Sequence, residues 1–192
     1  MKYYILFGPP GAGKGTHAGA ISEKYNLKHI STGELLRAEI ASGTELGKQA
    51  KSLIDAGSLV PDEIVEGMIE SAFDKIKGFD GFLLDGFPRT LAQAEALDRI
   101  LAARGEEVTA VISIMISDSV IRERIAHRAA IEGRADDASE ATISNRIATY
   151  HAQTEPIAEF YKKVGKYHEM NGDGASIEIN RERVLSLMAS LQ

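Results

Sequence analysis

The chain has 192 residues, of which 44% are hydrophobic and 26% charged, with a formal net charge of −6 and no cysteine. This length and composition predict one α/β domain large enough to cover a parallel sheet on both faces. The negative charge argues against a nucleic-acid partner, and the lack of cysteine excludes disulfides, thiolate catalysis and cysteine-ligated zinc. No apolar run is long enough for a signal peptide or a membrane span, so we expect a cytoplasmic protein.

A short apolar run at residues 3–7 leads into a glycine-rich turn, Gly8-Pro-Pro-Gly-Ala-Gly-Lys-Gly-Thr16, which a helical pattern follows. This order is typical of a phosphate-binding loop, because backbone N–H groups and the positive end of the helix face one concavity. Lys14 adds a mobile positive charge. Gly15 stands where Ser or Thr normally follows the lysine, so direct magnesium ligation by the hydroxyl of Thr16 is left open.

Strands and helices are predicted to alternate along the rest of the chain. The apolar runs at 3–7, 81–84 and 110–116 do not alternate with polar residues, which indicates strands buried on both faces. Shorter strand candidates are 28–30, 167–170 and 176–179. Helical patterns cover 14–25, 33–42, 45–56, 62–76, 90–104, 118–128, 139–163 and 181–191. The expected fold is α/β, with a doubly wound parallel five-stranded sheet.

Two segments are predicted to leave this core. The helices between 33 and 76 separate consecutive strands by about fifty residues, which is long for a crossover, so they are expected to form an excursion. A smaller excursion is predicted at 129–138, where Gly133-Arg-Ala-Asp-Asp137 separates two helices.

The larger excursion opens with Ser31-Thr-Gly-Glu-Leu-Leu-Arg37. Ser31 and Glu34 have the spacing of a capping box, which leaves Thr32 available for other contacts. Arg37 is either a solvated side chain or an oxyanion ligand. The connection Gly57-Ser-Leu-Val-Pro-Asp-Glu63 suits the edge of a flat base, although a simple helix–helix turn is equally compatible with it.

A second strong motif is Leu83-Leu-Asp-Gly-Phe-Pro-Arg-Thr90. Asp85 ends a predicted strand and so lies at the carboxyl edge of the sheet, where an aspartate organises magnesium and its waters in phosphate-loop proteins. The rigid turn that follows directs Arg89 into the same crevice. Thr90 and Gln93 form another capping box, so Gln93 either caps the helix or reads a base edge.

Arginines are dense between residues 124 and 146. Arg124 and Arg128 share a helix face, Arg134 lies in the break that follows, and Arg146 lies on the next helix. Because guanidinium groups bind phosphate bidentately, the cluster favours polyanion recognition, with salt bridges to nearby carboxylates as the alternative. The histidines show no metal-ligand spacing or carboxylate-oriented triad, and all five are expected to be surface or structural residues.

Taken in order over nearly the whole chain, these motifs closely resemble those of adenylate kinases. The resemblance implies a P-loop core (1–30, 61–127 and 139–192), an AMP-binding region (31–60) and a lid (128–138). It also implies the reaction ATP + AMP ⇌ 2 ADP with Mg²⁺. Five residues separate Arg128 from Arg134, so the lid resembles the short form, which has no structural zinc. Glu34 replaces the aspartate usual in its motif, and a monomer is expected.

The resemblance also implies roles for individual residues. The ATP phosphates would be cradled by Gly11, Ala12, Gly13, Lys14, Gly15 and Thr16, with Arg128 as a further ATP-binding residue. The ATP base would contact Arg124 and the stretch ending at Gly174. AMP would be bound by Thr32, Arg37, Ser58, Leu59, Val60, Gly86, Phe87, Pro88, Arg89, Gln93, Arg134 and Arg146. The catalytic set would be Lys14, Arg89, Arg128, Arg134 and Arg146, with Asp85 holding magnesium through water and Thr16 as a further candidate ligand.

Three other interpretations are weighed against this one. A UMP/CMP kinase shares the loop and the short lid, but usually has alanine at the position of Thr32 and asparagine at that of Thr90. A small-metabolite kinase would not need both Arg37 and Arg89 near an acceptor phosphate. A non-catalytic nucleotide-binding regulator would not need the full set of arginines.

Overall fold

The computed structural model describes residues 1–133, 137 and 139–191. The strands are β1 (Lys2–Phe7), β2 (Leu27–Ser31), β3 (Gly81–Asp85), β4 (Ala110–Met115) and β5 (Tyr167–Asn171). The helices are α1 (Lys14–Tyr25), α2 (Thr32–Ala41), α3 (Glu45–Asp55), α4 (Asp62–Lys75), α5 (Leu91–Ala102), α6 (Asp118–Glu132), α7 (Glu140–Thr149), α8 (Ile157–Lys162) and α9 (Ile177–Ala189).

All strand pairings in the sheet are parallel, in the order β2-β3-β1-β4-β5. The prediction of a doubly wound five-stranded sheet is therefore confirmed. Asp85 at the end of β3 is in register with Ser31 of β2 and Leu6 of β1. The loops that follow these three strands consequently meet at one edge, which is where ligands bind in open α/β sheets.

The three central strands, β3, β1 and β4, are buried on both faces, as their unbroken apolar runs predict. Tyr3, Ile5 and Phe7 of β1 face a core cluster formed with α4, α5 and α8. Tyr4 and Leu6 face a second cluster with α1, α6, α7 and α9. Because the side chains on each face of β1 enter a hydrophobic layer, the strand has no polar face. This explains why apolar and polar residues do not alternate in its sequence.

One strand prediction is wrong. Residues 176–179 begin α9, and the Ser176 hydroxyl accepts a hydrogen bond from the Ile179 backbone N–H at 3.3 Å as an N-cap. Ile177 and Ile179 are 53% and 47% exposed. Their spacing is that of a strand face, but tertiary packing buries neither side chain and the serine cap decides the conformation.

The helix expected over 139–163 is interrupted. A π-helical turn spans Tyr150–Thr154, and the Glu155 N–H bonds to the Tyr150 carbonyl at 2.8 Å. Pro156, which has no N–H to donate, follows directly, so a regular ladder of helical hydrogen bonds cannot continue through this position. By contrast, α6 runs beyond its expected end at residue 128 and stops before Gly133, whose φ is +61°.

No helix among the described residues is long and apolar enough to cross a membrane.

Candidate active site

The glycine-rich turn joins β1 to α1 at the carboxyl edge of the sheet. Gly8 has φ +133°, and a Cβ there would lie 2.3 Å from the Ile114 carbonyl oxygen of β4, so this position requires glycine. Gly13 caps α1 with φ +90° and with no side chain bonded to the first N–H groups of the helix. The turn therefore presents backbone donors and the helix N-terminus to one concavity, as the phosphate-loop prediction requires.

Lys14 reaches back over this loop. Its Nζ donates to the carbonyl oxygens of Gly8 and Pro9 at 2.9 and 3.1 Å. Burial, followed by the positive charges of Arg89, Arg146 and Arg128, lowers the pKa of Lys14 to about 8, against the opposing effect of Asp85. The ammonium group therefore belongs to a cluster of positive charge that a polyphosphate would neutralise.

Asp85 is 9% exposed and lies across from the loop. Its Oδ2 lies 3.7 Å from His29 Nε2 and 3.9 Å from where a Cβ on Gly15 would sit. Burial raises the pKa of Asp85, but His29, Lys14 and Arg89 together outweigh it and hold the pKa below its usual value. An ionised carboxylate beside the phosphate loop fits the donor set that a hydrated Mg²⁺ ion uses. Thr16, the other candidate ligand, is exposed at the start of α1.

A cavity opens between the loop, the α2–α3 excursion, the turn after β3 and the end of α7. Its lining includes most of the residues assigned to AMP: Thr32, Arg37, Ser58, Leu59, Val60, Gly86, Pro88, Arg89, Gln93 and Arg146. Phe87 is 1% exposed and packs into the hydrophobic core. The structure thus brings together segments that are more than a hundred residues apart in the chain.

Thr32 and Arg89 both bond to the backbone of Gly86 at the floor of this cavity. The Gly86 carbonyl accepts from the Thr32 hydroxyl and from Arg89 Nε, both at 2.8 Å. Gly86 has φ +80°, and a Cβ there would lie 2.8 Å from both Thr32 Oγ1 and Arg89 Nη2. Arg37 lies one turn into α2 over Gly33, since a Cβ at Gly33 would be 3.2 Å from an Arg37 guanidinium nitrogen.

Gln93 takes part in the capping of α5 and also lies at the cavity, and its reading of a base edge stays a prediction. It caps α5, because its backbone N–H donates to Thr90 Oγ1 at 3.1 Å and its Oε1 accepts from the Arg89 N–H at 2.7 Å. The same side chain lines the cavity, and its Nε2 donates to Asp62 Oδ1 at 2.7 Å. The sequence does not predict that Asp62 orients this amide, because nothing near Asp62 in the chain distinguishes it from any aspartate at the start of a helix.

Two of the clustered arginines converge on one carboxylate. Arg128 binds Asp137 bidentately, at 2.7 and 3.0 Å, and Arg146 Nη1 also bonds to it. The Asp137 side chain is fully buried and orients both guanidinium groups, and Arg146 also lines the cavity. Two of the clustered arginines therefore lie together and also form salt bridges with a nearby carboxylate. Arg134 lies outside the described residues.

Arg124 projects toward the far side of the phosphate loop. Its Nη2 donates to the Gly172 carbonyl at 2.9 Å, and its Nη1 lies 3.5 Å from the Gly11 carbonyl. The β5–α9 connection is anchored to α6 as well, because the Asp173 carboxylate accepts from the Ser117 N–H at 3.1 Å. Gly174 is exposed at the tip of this connection, with φ +67°.

Two of the five histidines lie beside carboxylates. His151 lies between Glu155 and Asp118, at 2.8 and 3.0 Å, and these partners raise its pKa. His29 faces Asp85, as described above. The i,i+4 spacing of His151 and Glu155 in the sequence indicates their contact on one helix face. The contact of His151 with Asp118 depends on the tertiary structure and has no such signal. Within residues 1–133, 137 and 139–191, no group of three or more acidic, histidine or cysteine side chains could hold a metal ion.

The sequence model of a family described as adenylate kinase matches residues 6–166. The chain belongs to the adenylate kinase family. It is 49% identical to an adenylate kinase of Flavobacterium psychrophilum, over 94% of this chain and 95% of that protein. It is 48% identical to one of Bacteroides thetaiotaomicron, over 91% and 92% of the two chains. For an adenylate kinase of Leptospira biflexa the identity is 46%, over 97% of this chain and 100% of the relative. The chain is therefore an enzyme, a phosphotransferase acting between ATP and AMP.

Proposed function

We propose that the cavity beside the phosphate loop binds AMP, and that the loop itself binds the phosphates of Mg·ATP. The observation that carries this proposal is the meeting of Lys14, Arg89 and Arg146 around one cavity, at the edge where β1 and β3 end. A site with so much positive charge suits two phosphate-bearing ligands brought face to face.

Under this proposal, an oxygen of the AMP phosphate attacks the γ-phosphorus of ATP. The bond from that phosphorus to the β,γ-bridging oxygen breaks, and one ADP forms on each side. The attacking group is already a phosphate anion, so no general base is required. Arg37 and Arg89 hold the AMP phosphate, while Lys14, Arg128, Arg134 and Arg146 neutralise the charge of the transferred group.

Asp85 would hold magnesium through bound water, and Thr16 would be a further ligand of it. A bound magnesium ion would neutralise and orient the triphosphate. The lowered pKa of Asp85 supports this assignment, because the carboxylate stays ionised at neutral pH without the metal.

AMP selectivity is assigned to the floor and rim of the cavity. Thr32 and Gln93 are held in fixed orientations by Gly86 and Asp62, which supports a role in reading a base edge. The half-buried Ser58 and Leu59, together with Val60, line the cavity and would flank the base. On the other side, Arg124 would stack on the ATP base while the connection through Gly174 closes over it. We further propose that the enzyme is a cytoplasmic monomer.

The test is ADP formation from Mg·ATP with AMP, UMP, CMP and GMP offered separately. We expect strong preference for AMP. Preference for UMP or CMP would keep the transfer mechanism and overturn the base-reading assignment of Thr32 and Gln93. Binding of ATP with no transfer to any acceptor would contradict the catalytic assignment and favour a regulatory role.

A further inference from the structure

The base side of the donor site contains a buried amide that no step of the transfer uses. Asn180, in the first turn of α9, is 3% exposed, and its Nδ2 donates to the Gly172 carbonyl at 3.0 Å. That carbonyl is also the acceptor for Arg124 Nη2 at 2.9 Å. One oxygen thus joins α9 to the arginine assigned to the ATP base.

A carbonyl oxygen has two lone pairs, and here each accepts one donor. Since the Asn180 amide bonds to one lone pair of the carbonyl, the Arg124 guanidinium group can bond only to the other. This restricts the plane in which the guanidinium group lies. The amide is itself oriented, because Asn180 Oδ1 faces Arg183 Nη1 at 3.4 Å. This contact fixes which end of the amide donates.

The Gly172 carbonyl has little freedom to move in other ways. The Gly172 N–H donates to the Met115 carbonyl at 2.8 Å, and a Cβ at Gly172 would lie 2.8 Å from Ile114 Cγ2. The backbone is thus pressed against the end of β4, and the only described side chains bonded to its carbonyl are Asn180 and Arg124.

We propose that Asn180 is a positioning residue for the donor base: it holds the Gly172 carbonyl, which in turn holds Arg124 in the plane needed for stacking. This inference rests on the proposed function, in which Arg124 stacks on the ATP base. Asn180 touches no reacting atom, so its loss should weaken binding of the donor base and leave the AMP cavity and the phosphate loop intact.

The experiment compares Asn180→Leu, which keeps the volume and removes the donor, with wild-type enzyme. We expect the KM for Mg·ATP to rise roughly tenfold, about the effect of one lost hydrogen bond. The kcat should change less than about threefold and the KM for AMP less than about twofold. An equal rise in both KM values would overturn the proposal, since it would indicate general damage to the fold.

A double-mutant cycle tests whether the effect passes through Arg124. In an Arg124→Met background, Asn180→Leu should add less than about twofold to the KM for Mg·ATP. Fully additive effects would contradict the proposal. Asn180→Ser, which is too short to reach the carbonyl, replaces the leucine variant if that protein does not fold.

The matched control is Tyr25→Phe, because the Tyr25 hydroxyl donates to the Leu185 carbonyl of α9 at 3.2 Å and so attaches the same helix at a point away from Gly172. If Tyr25→Phe raises the KM for Mg·ATP as much as Asn180→Leu does, the general attachment of α9 matters and the shared carbonyl does not. Calorimetry without AMP supplies a readout independent of catalysis: Asn180→Leu should weaken ATP binding but not tripolyphosphate binding. If the wild-type protein binds ATP but transfers no phosphate, that result contradicts the proposed function. The calorimetric comparison of Asn180→Leu with wild type can still be made in that case.

Discussion

At the scale of single residues, the candidate site is defined by charges that protein acceptors hold in place. Lys14 bonds to the loop that carries it, while Arg128 and Arg146 share the buried carboxylate of Asp137. Each of these groups is oriented by a protein acceptor, so little rotational freedom is left to lose when phosphates bind. Preorganised charge of this kind is the main contribution that a protein makes to phosphoryl transfer.

The lowered pKa of Lys14 gives a prediction about pH. Below about pH 8 the side chain of the free enzyme is an ammonium group, and above it the group becomes neutral, because burial disfavours the charged form. Triphosphate affinity should therefore fall as pH rises above about 8, approaching tenfold per pH unit. Calorimetric titration with ATP between pH 7 and 9.5 measures this.

The control for that titration is a Lys14→Met variant, which has no charge to lose at this position. Its ATP affinity should be weak throughout and should change little over the same pH range. A wild-type affinity that stays constant up to pH 9.5 would show that Lys14 keeps its proton, against this prediction.

At the scale of elements, the excursion depends on close packing of α2 against α3. Gly47 lies in the first turn of α3, and a Cβ there would lie 2.2 Å from the Glu39 carbonyl oxygen of α2. Thr44 ties the two helices together, since its hydroxyl caps α3 and also bonds to the Glu39 side chain at 2.6 Å. The excursion is therefore a packed unit that carries Arg37 to the cavity.

Gly47→Ala should push α2 and α3 apart. We expect a loss of about 1–3 kcal/mol in the free energy of unfolding, as for overpacked cores, and a several-fold rise in the KM for AMP with ATP binding unchanged. Chemical denaturation and steady-state kinetics measure these effects.

Gly67→Ala in α4 is the control: nothing lies within 4 Å of a Cβ at this position, so the substitution should stabilise the protein by about 0.5–1 kcal/mol. Equal behaviour of the two variants would contradict the packing argument.

At the scale of the whole molecule, one sheet separates two hydrophobic layers and its carboxyl edge carries the site. The two core clusters contain alternate residues of β1, so the central strand contributes to both. Most of the exposed large apolar side chains among the described residues lie on separate elements, for example Leu35 on α2, Leu91 on α5 and Ile131 on α6, whereas Ile177 and Ile179 share α9. Scattered exposure of this kind does not indicate an interface between subunits.

The monomer prediction can be checked by light scattering on the eluting protein. The expected mass is 20.8 kDa, that of one chain, at concentrations up to those used for kinetics. A mass near twice that value, independent of salt, would contradict the prediction.

The sequence by itself determined the elements whose local signals agree with their surroundings. The glycine turn after β1, the capping serines and threonines, and the long apolar runs predict the phosphate loop, most helices and the parallel sheet. These features depend on contacts within a few residues, or on burial of both faces of a strand, so they can be read from residue type and spacing.

Only the tertiary structure decided how these elements are connected at the site. Residues 176–179 are a strand candidate in the sequence, but the Ser176 cap and the packing of α9 make this segment the start of a helix. Three contacts join groups that belong to separate elements or that lie on either side of the end of α6. They are Arg128 with Asp137, Gln93 with Asp62, and Asn180 with Arg124 through the Gly172 carbonyl. Such contacts depend on where the sheet places its helices and loops, and no local periodicity encodes that placement.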